Sequence, residues 1–578
     1  MNKNDKFVGT CIDYSYNGLG VVKYGTFCIF VKDMIKGETG EIVITALKKD
    51  YGYGRLLKLL EPSAERVEPL CPLSKQCGGC QFQHMSYKEQ LSFKQNYLES
   101  TLKNIGHLDV KVNDIVPSPQ QYYYRNKAQL PLGKDKNGNF QVGYYRYNSH
   151  EIIPMETCYM HSALVNEITM AIKELIIETE LESYFRHLVI RELNSGEVMV
   201  IMVVNKEIDL SYLTAQLTAR FSCIKSVIEN INDKDTNVIM GEKEILLYGR
   251  DYIVGNINEC CFRISAKSFY QINSEQTINL YNKALEMAEL SQEDVLLDLY
   301  CGVGTIGLLA SDRVKKVIGG EIVQAAIENA ESNAALNKKE NVEFICGDAG
   351  QIANTLLARA EKIDVVVVDP PRKGCDEKTL QALVEIAPQK IVYVSCNPST
   401  LARDLNVLQG KGYQIKEIQP FDMFPQTYHV ESICLMSKKI DKSECEDDMS
   451  KEFDVHYGEE EFRTVDAGIE AIETVLMGED IHAKERLLFY LDWYMDPYYK
   501  RDLSTIGEAL KELLQRTVIT SNEIGIVEEA LHLLEAYTDG PYEILENNID
   551  YVDEEFKPAV LLLLNDDNGR LDDTNSYL

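Results

Sequence analysis

The strongest constraint on the fold is a series of short apolar strands that alternate with helical stretches from residue 261 to residue 438. This alternation predicts a doubly wound, mostly parallel sheet, in which each helix returns the chain to the start of the next strand. The carboxyl ends of such strands share one edge of the sheet, and ligands bind there. The strands are expected at residues 295–299, 317–320, 342–345, 364–368 and 390–394.

The rest of the chain predicts further domains, because 578 residues are too many for one hydrophobic core. Short alternating strands separated by glycines predict a β-barrel near the amino terminus. Strands with a helix at 163–178 predict an α+β domain, an amphipathic helix is expected at 93–105, and a polar linker is expected at 438–452. The protein is therefore predicted to be multidomain α/β, with domains at 1–60 (barrel), 61–92 with 122–260 (α+β), 93–121 with 261–438 (sheet domain) and 439–578 (linker and acidic helical domain).

Net charge separates the last domain from the others. Residues 441–578 hold 36 acidic and 11 basic side chains, −25 of the total −32, whereas the first 60 residues carry +3. Residues 48–55 mix cations with tyrosines, which suits phosphate contact and base stacking but also an ordinary solvated hairpin. No apolar run could span a membrane and no secretion signal is found, so we expect a monomeric cytoplasmic protein without a membrane partner.

A glycine-rich turn, DLYCGVGT at 298–305, follows the first strand of the sheet. Glycines there let a ligand approach the backbone at the carboxyl edge. The second strand ends at Glu321, which can hold two ribose hydroxyls, and the third is followed by Asp348, which can receive an adenine amine. Because the turn is short and no basic residue accompanies it, the pattern favours a nucleoside without phosphates, and S-adenosylmethionine is the natural candidate.

The fourth and fifth strands end in reactive groups. Asp369 is followed by two prolines and Arg372, where enzymes that methylate exocyclic amines often carry an aromatic residue, so the arginine points away from that reaction. Cys396 follows the fifth strand and is a candidate nucleophile. C5 of uracil is a poor nucleophile, and addition of a thiolate at C6 would convert the ring to an enolate that can accept a methyl group at C5.

Removal of the C5 proton then requires a base. The segment 424–431 offers Glu431, which we choose, and His429 as a second choice. Asp369 is expected to hydrogen-bond the uracil edge. A duplex or folded loop hides C6, so the target base must be flipped out or already unpaired.

Fifteen cysteines in a chain without a secretion signal indicate reduced thiols rather than a disulfide framework. Cys71, Cys77 and Cys80 have a C-x5-C-x2-C spacing, and Cys158 is a fourth candidate ligand. Four thiolates suit zinc or an iron–sulfur cluster, and the spacing alone does not choose between them.

These motifs together resemble the RNA (uracil-5-)methyltransferases, in particular the bacterial 23S rRNA branch. The resemblance covers about residues 5–438 and includes the barrel, the four cysteines and the motifs SFYQIN (268–273), DPPR (369–372), SCNP (395–398) and HVE (429–431). It implies a TRAM-like, OB-like barrel, an iron–sulfur and RNA-binding domain, and a Rossmann-like methyltransferase domain that uses S-adenosylmethionine. The implied partner is RNA, with 23S rRNA favoured over tRNA.

The resemblance also implies roles for single residues. The resemblance implies Cys396 as the nucleophile and Glu431 as the base. It also implies a [4Fe-4S] cluster, where the cysteine spacing alone left zinc and an iron–sulfur cluster open. The implied cluster ligands are Cys71, Cys77, Cys80 and Cys158, and the implied cofactor contacts are Gln271, Tyr300, Thr305, Glu321, Asp348 and Asp369.

Two features depart from this family. Ala266 stands where proline is frequent, which leaves Gln271 in register, and the acidic tail from 441 has no counterpart. The tail could dock a partner, repel other polyanions or form an independent helical domain without catalysis. Two other functions stay open: the same reaction on tRNA, whose branch usually lacks the barrel and the cluster, and a non-catalytic RNA-binding iron–sulfur protein.

Overall fold

The computed structural model describes residues 2–49, 51–135, 137–147, 149–234, 238–439, 459–495, 506–521, 523–538, 542–552 and 556–565. The chain forms two compact units, Met1–Asp441 and Lys442–Leu578. The predicted linker lies, from residue 440 onward, outside the described residues.

The first unit begins with a closed five-stranded barrel, which confirms the predicted barrel. Alternate residues of its strands point inward, and Cys11, Val22, Ile29 and Ile44 fill the interior. Its strand order is β1-β2-β3-β5-β4. The strands are β1 (Lys6–Tyr14), β2 (Gly20–Tyr24), β3 (Phe27–Lys32), β4 (Thr39–Leu47) and β5 (Tyr51–Glu61).

Helix α1 (Tyr87–Asn104) follows the cysteine-rich segment. We expected this helix at 93–105, and that start was wrong by six residues. Ser86 caps the helix, since its side chain accepts a hydrogen bond from the Glu89 N–H at 3.2 Å. A Ser followed three residues later by Glu is a known start signal that the apolar pattern alone did not reveal.

The central part of the first unit contains a seven-stranded sheet of order β12-β11-β10-β9-β6-β7-β8 and a two-stranded sheet of β13 and β14. Two helices belong to this region, and the predicted helix at 163–178 is observed as α2. The elements are β6 (Lys127–Lys134), β7 (Phe140–Tyr145), β8 (Ile152–Pro154), α2 (Ala163–Glu178), β9 (Phe185–Glu192), β10 (Val198–Val204), α3 (Ser211–Arg220), β11 (Ile224–Ile231), β12 (Lys243–Gly249), β13 (Tyr252–Ile257) and β14 (Cys260–Ser265).

The second large sheet has the order β17-β16-β15-β18-β19-β21-β20. Its first five strands are parallel, and β21 runs antiparallel between β19 and β20. The elements are α4 (Ser274–Ala288), β15 (Val295–Leu299), α5 (Thr305–Ala310), β16 (Lys316–Glu321), α6 (Gln324–Leu336), β17 (Val342–Cys346), α7 (Ala349–Ala358), β18 (Val365–Val368), α8 (Glu377–Ile386), β19 (Lys390–Ser395), α9 (Pro398–Gly410), β20 (Tyr413–Phe421) and β21 (Glu431–Lys438).

Both faces of this sheet are buried. Along β18, Val365 and Val367 enter one hydrophobic core, whereas Val366 and Val368 enter the other, where Leu98 of α1 also packs. A strand with both faces covered reads as a continuous apolar run, which explains why the sequence 365–368 is four valines. The chain moves outward from β15 through β17 and then returns to β18 on the other side, so a crevice opens at the carboxyl ends of β15 and β18.

The second unit is helical in its described residues and has its own core, which includes Leu488, Leu510, Leu514, Ala530 and Leu534. The helices are α10 (Glu459–Asp466), α11 (Ile469–Leu476), α12 (Ile481–Met495), α13 (Gly507–Thr520), α14 (Ile524–Tyr537), α15 (Glu543–Asn547) and α16 (Lys557–Asn565).

Candidate active site

The parallel strands of the second sheet bring five of the predicted site residues to one edge. Each lies at the carboxyl end of its strand or within two residues of that end, because β15 to β19 all run in the same direction. These residues are Tyr300, Glu321, Asp348, Asp369 and Cys396.

The glycine-rich turn after β15 has the left-handed backbone that its sequence requires. Gly304, the N-cap of α5, has φ +81°, and a Cβ there would lie 3.2 Å from Ala330 and Phe344. Tyr300 also has a positive φ, of 63°, which is uncommon for a residue with a side chain. The Gly302 N–H donates to Glu321 Oε2 at 3.2 Å, so the predicted ribose-binding carboxylate is held against the turn.

The other predicted cofactor contacts surround this turn. Thr305 opens α5, and Asp348 caps α7 by accepting the Gln351 N–H at 2.8 Å through Oδ1. Gln271 is buried in the loop before α4, near Tyr281, and Asp369 is another neighbour of that tyrosine.

Asp298, on β15, was not assigned a role from the sequence. It is 1% exposed, and its Oδ2 accepts the Gly307 N–H at 2.8 Å. Burial, together with the nearby Asp369 and Glu321, raises its pKa to about 7. The sequence did carry a signal for a special role of Asp298: a carboxyl group within a buried apolar strand has a high desolvation cost, so it needs a compensating interaction.

Cys396 and Glu431 lie at the ends of two neighbouring strands, β19 and β21. Ser395, the last residue of β19, pairs with Ser432 of the antiparallel β21, and this register continued by one residue brings Cys396 opposite Glu431. Glu431 is 3% exposed and Cys396 is half-buried.

Burial and the neighbouring charges determine the direction of the pKa shifts of this pair. Burial raises the pKa of the Cys396 thiol, and the neighbouring Glu431 and Asp369 raise it further, whereas Arg372 lowers it. Burial likewise raises the pKa of Glu431, with the same opposing effects of Asp369 and Arg372. Burial raises the pKa of Asp369 to about 7. A thiol, two carboxyl groups and one guanidinium therefore lie near one another at this end of the sheet.

The two motif loops that carry these groups are tied together. Asn397 caps α9 by accepting the Ser399 N–H at 3.0 Å, and its Nδ2 donates to the Arg372 carbonyl at 3.1 Å. Thr400 donates to the same carbonyl at 3.2 Å. These bonds explain the asparagine after Cys396, for which sequence reasoning offered no role.

His429 is a poor base in this setting. Burial, with the positive charges of Arg372, Lys94 and Arg125, lowers its pKa to about 3. Its ring lies 4.3 Å from that of Tyr428 and 5.9 Å from that of Phe424, between centroids. An imidazole that binds protons so weakly favours Glu431 as the proton acceptor.

The four cysteines predicted as ligands, Cys71, Cys77, Cys80 and Cys158, are called the cysteine group below. Burial raises the pKa of Cys80 to about 12 and that of Cys158 to about 11, and the four thiols interact electrostatically with one another. In the part of the chain that the structure describes, no three His, Cys, Asp or Glu side chains are arranged as a metal-binding set.

Arg125, which is 7% exposed, lies beside the cysteine group and lowers the pKa of Cys77, Cys80 and Cys158. The sequence analysis assigned no role to Arg125, because the contact between this residue and the cysteines depends on tertiary packing.

A pair of cations lies on the central sheet. Lys127 of β6 is directly opposite Arg191 of β9. Burial and the charge of Arg191 lower the pKa of Lys127 to about 7, and burial lowers the pKa of Arg191 to about 10. Arg191 donates to the carbonyls of Ala266 and Ser268 at 3.0 and 2.6 Å, just before Gln271. Like charges opposite each other are unfavourable unless an anion offsets them.

The barrel surface carries the aromatic residues of the 48–55 segment. Tyr51 and Tyr53 are 36% and 38% exposed, and their rings pack edge to face with centroids 5.8 Å apart. Phe30 joins them at 5.5 Å from Tyr51. Exposed rings beside Lys48, Lys49 and Arg55 form a surface on which bases could stack.

Comparison with known proteins assigns the family. The family described as tRNA (Uracil-5-)-methyltransferase matches residues 86–439, more than half of the chain. The chain belongs to this family. The resemblance predicted from the motifs is therefore confirmed, and the family consists of RNA-modifying enzymes.

Relatives and solved structures agree with the family assignment. The chain is 43% identical over 456 residues to an uncharacterized RNA methyltransferase of Clostridium acetobutylicum, covering 76% of this chain and 99% of the relative. It is 42% identical to one of Halalkalibacterium halodurans, covering 76% and 98%. The Pyrococcus abyssi tRNA (uracil-54, C5)-methyltransferase in complex with S-adenosyl-L-homocysteine matches with TM-score 0.61 and 30% identity, covering 74% of this chain and 99% of that one.

Among the described residues, no helix is both long and apolar enough to cross a membrane.

Proposed function

We propose that this protein transfers a methyl group from S-adenosylmethionine to C5 of a uracil in RNA, with Cys396 as the nucleophile and Glu431 as the base. The observation that carries the proposal is the placement of the two groups opposite each other at the edge of the sheet where the glycine-rich turn lies. A pyrimidine between them would present C6 to the sulfur and its C5 proton to the carboxylate.

The cofactor site suits a cationic nucleoside. Glu321 and Asp369 both lie close enough to Asp298 to raise its pKa, and this concentration of carboxyl groups favours a positively charged ligand such as a sulfonium. We assign cofactor contacts to Gln271, Tyr300, Thr305, Glu321, Asp348 and Asp369. When bound, S-adenosylmethionine supplies the electrophilic methyl group. The Pyrococcus abyssi enzyme was solved with the corresponding demethylated product, which supports this assignment.

In the proposed reaction, Cys396 forms and later breaks the bond to the base, and Glu431 accepts the proton. The Cys396 thiolate bonds to C6, and the electron pair of the C5–C6 double bond moves toward O4 as an enolate. C5 then takes the methyl group, and the bond between that methyl and the donor sulfur breaks. Glu431 accepts the C5 proton, the C5–C6 double bond re-forms, and the bond from Cys396 to C6 breaks. Asp369 is proposed to hydrogen-bond the uracil edge and hold it between the two groups.

Arg372 has a stabilising role in this scheme. It is the cation that lowers the pKa of both Cys396 and Glu431, against the opposing effect of burial. Both groups must lose a proton during the cycle, the thiol before attack and the carboxyl group before it can act as a base. A nearby guanidinium makes both charged forms less costly.

The proposed substrate is 23S rRNA, and tRNA is the second candidate. The exposed tyrosines of the barrel, beside Lys48, Lys49 and Arg55, support a polyanion that carries unpaired bases. The tRNA alternative is favoured by one observation: the Pyrococcus abyssi tRNA enzyme is matched over 99% of its length, so this architecture is not confined to enzymes of rRNA.

We further propose that the cysteine group holds a [4Fe-4S] cluster. The donor set fits in kind, because four thiols lie within electrostatic reach of one another and the buried Arg125 would offset the negative charge of thiolate ligands. The overall methyl transfer is redox-neutral, so we assign the cluster to structural support and RNA positioning.

A trapping experiment tests the reaction. The full-length protein is incubated with S-adenosylmethionine and RNA that contains 5-fluorouracil, which cannot lose a proton from C5. A covalent protein–RNA species on a denaturing gel is expected, and it should be absent for Cys396→Ala. A wild-type protein that binds the RNA but forms no such species would instead be a non-catalytic RNA-binding protein. Mapping of 5-methyluridine in rRNA and tRNA of a deletion strain then identifies the substrate.

A further inference from the structure

The loop that leads into Glu431 is held by an unusual series of hydrogen bonds. Four consecutive carbonyls, from Met423 to Gln426, each accept a bond from a different part of the chain. The donors are Asn273 Nδ2 at 3.1 Å, Lys94 Nζ at 2.9 Å, the Tyr124 hydroxyl at 2.9 Å, and, for Gln426, the N–H groups of Gln81 and Phe82 at 2.9 and 3.0 Å.

A reciprocal pair of glutamines completes this arrangement. Gln90 of α1 accepts the Gln426 N–H at 2.9 Å through Oε1 and donates to the Gln426 side chain at 3.0 Å through Nε2. Both residues are 1% exposed, so water does not compete for these bonds. Buried amides that are fully paired fix the position of the groups they join.

Gln426 depends on these bonds for its conformation. Its φ is 70°, in the left-handed region that is unfavourable for a residue with a side chain. The surrounding bonds must offset that cost, so the loop is expected to relax when they are removed.

Three of the donors, Gln81, Phe82 and Tyr124, belong to the surroundings of the cysteine group. Gln81 and Phe82 directly follow Cys80, and Tyr124 directly precedes Arg125, the cation beside the thiols. The Gln81 and Phe82 N–H groups that bind the Gln426 carbonyl therefore directly follow Cys80, a candidate cluster ligand. Glu431 lies five residues after Gln426.

We propose that Gln90, together with the Gln81–Phe82 backbone, positions the loop 422–430 so that Glu431 reaches the C5 proton, and that the cysteine group acts on catalysis through this contact. The inference rests on the proposed function and refines it, because it assigns the cysteine segment to the proton-removal step rather than to attack on the base. Gln90 and Gln426 are positioning residues, since neither reaches the reacting atoms.

The test separates attack from proton removal in the full-length protein. For Gln90→Ala, we expect 5-fluorouracil RNA to be trapped at nearly the wild-type rate, whereas 5-methyluridine forms about 10- to 100-fold more slowly and an adduct accumulates on unmodified RNA. Asn96→Ala, on the exposed side of the same helix, is the matched control and should match wild type in both assays. Failure of the wild-type protein itself to trap RNA would count against the proposed function instead.

Hydrogen exchange of the 422–430 segment gives a readout that does not depend on activity. Exchange should be faster in Gln90→Ala and in Cys80→Ser, and unchanged in Cys223→Ser, whose thiol lies outside both sites. Should Gln90→Ala fail to fold, Gln426→Ala decides the question, because alanine keeps the unfavourable left-handed backbone and removes the side-chain bond to Gln90, so the same results are expected. Trapping and product formation that fall in parallel, or product formation that does not change, would overturn the proposal.

Discussion

The protein uses cysteine in two regions, and the surroundings differ in the charges that face the sulfur. At the sheet edge, the carboxyl groups of Glu431 and Asp369 raise the pKa of Cys396, and Arg372 lowers it. In the cysteine group, other thiols raise the pKa of Cys80 and Cys158, and the buried Arg125 lowers it. Burial raises the pKa and an arginine lowers it in both regions, so the regions differ in what else faces the sulfur: carboxyl groups at the candidate nucleophile and further thiols at the candidate ligands.

The largest expected effect separates the two regions directly. Cys396→Ala should reduce methylation by at least about a thousandfold, because no other group can form the bond to C6. Binding of S-adenosylhomocysteine, measured by calorimetry, should stay close to wild type, and Cys223→Ala should keep full activity. Equal loss of cofactor binding and activity would assign Cys396 to the cofactor site instead.

Glu431→Gln should slow turnover by about 100- to 10,000-fold and leave a stalled RNA adduct, because attack proceeds while proton removal fails. The adduct is measured on a denaturing gel with unmodified RNA. His429→Gln is the comparison variant, and we expect a much smaller loss from it. Free RNA without adduct in Glu431→Gln would move the base to another residue.

In the cysteine group, Cys80→Ser should lose iron and acid-labile sulfide, because an alcohol is a far weaker ligand for an iron–sulfur cluster than a thiolate. Iron per chain, measured on anaerobically purified protein, checks this. Cys396→Ala should retain the wild-type iron content. An unchanged iron content in Cys80→Ser would remove that residue from the ligand set.

A smaller effect concerns stability against pH. Asp298 has a pKa of about 7 when folded, above its ordinary value of 3.8, so the folded state binds the proton more tightly. Its stabilising contribution is complete below about pH 4 and is lost as the pH rises through 7, a change on the order of a few kcal/mol. Asp298→Asn should therefore flatten the fall of the unfolding temperature between pH 4 and 8, whereas Asp251→Asn at an exposed position should not.

The smallest effect is expected from removal of the acidic unit. A chain that ends at Asp441 should methylate RNA as well as the full chain does. The reason is that 76% of this chain already covers 98 to 99% of the length of two RNA methyltransferase relatives. The comparison of kcat/KM for the two proteins checks this. A clear loss would show that residues 442–578 take part in RNA binding or catalysis.

Strand positions in the second sheet were predictable because apolar runs such as 365–368 are buried on both faces and carry a strong signal. The five strand-end residues followed from that pattern, since parallel strands share one edge. The partnership of Cys396 with Glu431 did not follow from the pattern, because it depends on β21 running antiparallel beside β19. Periodicity does not report which strands become neighbours.

Other residues were missed for related reasons. Asp298 was hidden by the apolar strand around it, and the pairing of Lys127 with Arg191 depends on the register of β6 against β9, which lie far apart in sequence. Gln90 and Gln426 are separated by 336 positions and belong to no recognisable motif. Contacts between distant segments depend on tertiary packing, so local sequence patterns leave them undetermined.

The reversed direction of β21 has a consequence for how this site can change. The sulfur leaves the end of one strand and the carboxyl group enters at the beginning of its neighbour, so main-chain bonds of the ladder align them whatever the length of the chain between. Insertions in α9 or in the turn before β20 should therefore leave the alignment of Cys396 with Glu431 unchanged. A shift of β21 by a single residue would turn Glu431 to the opposite face of the sheet and separate the pair completely.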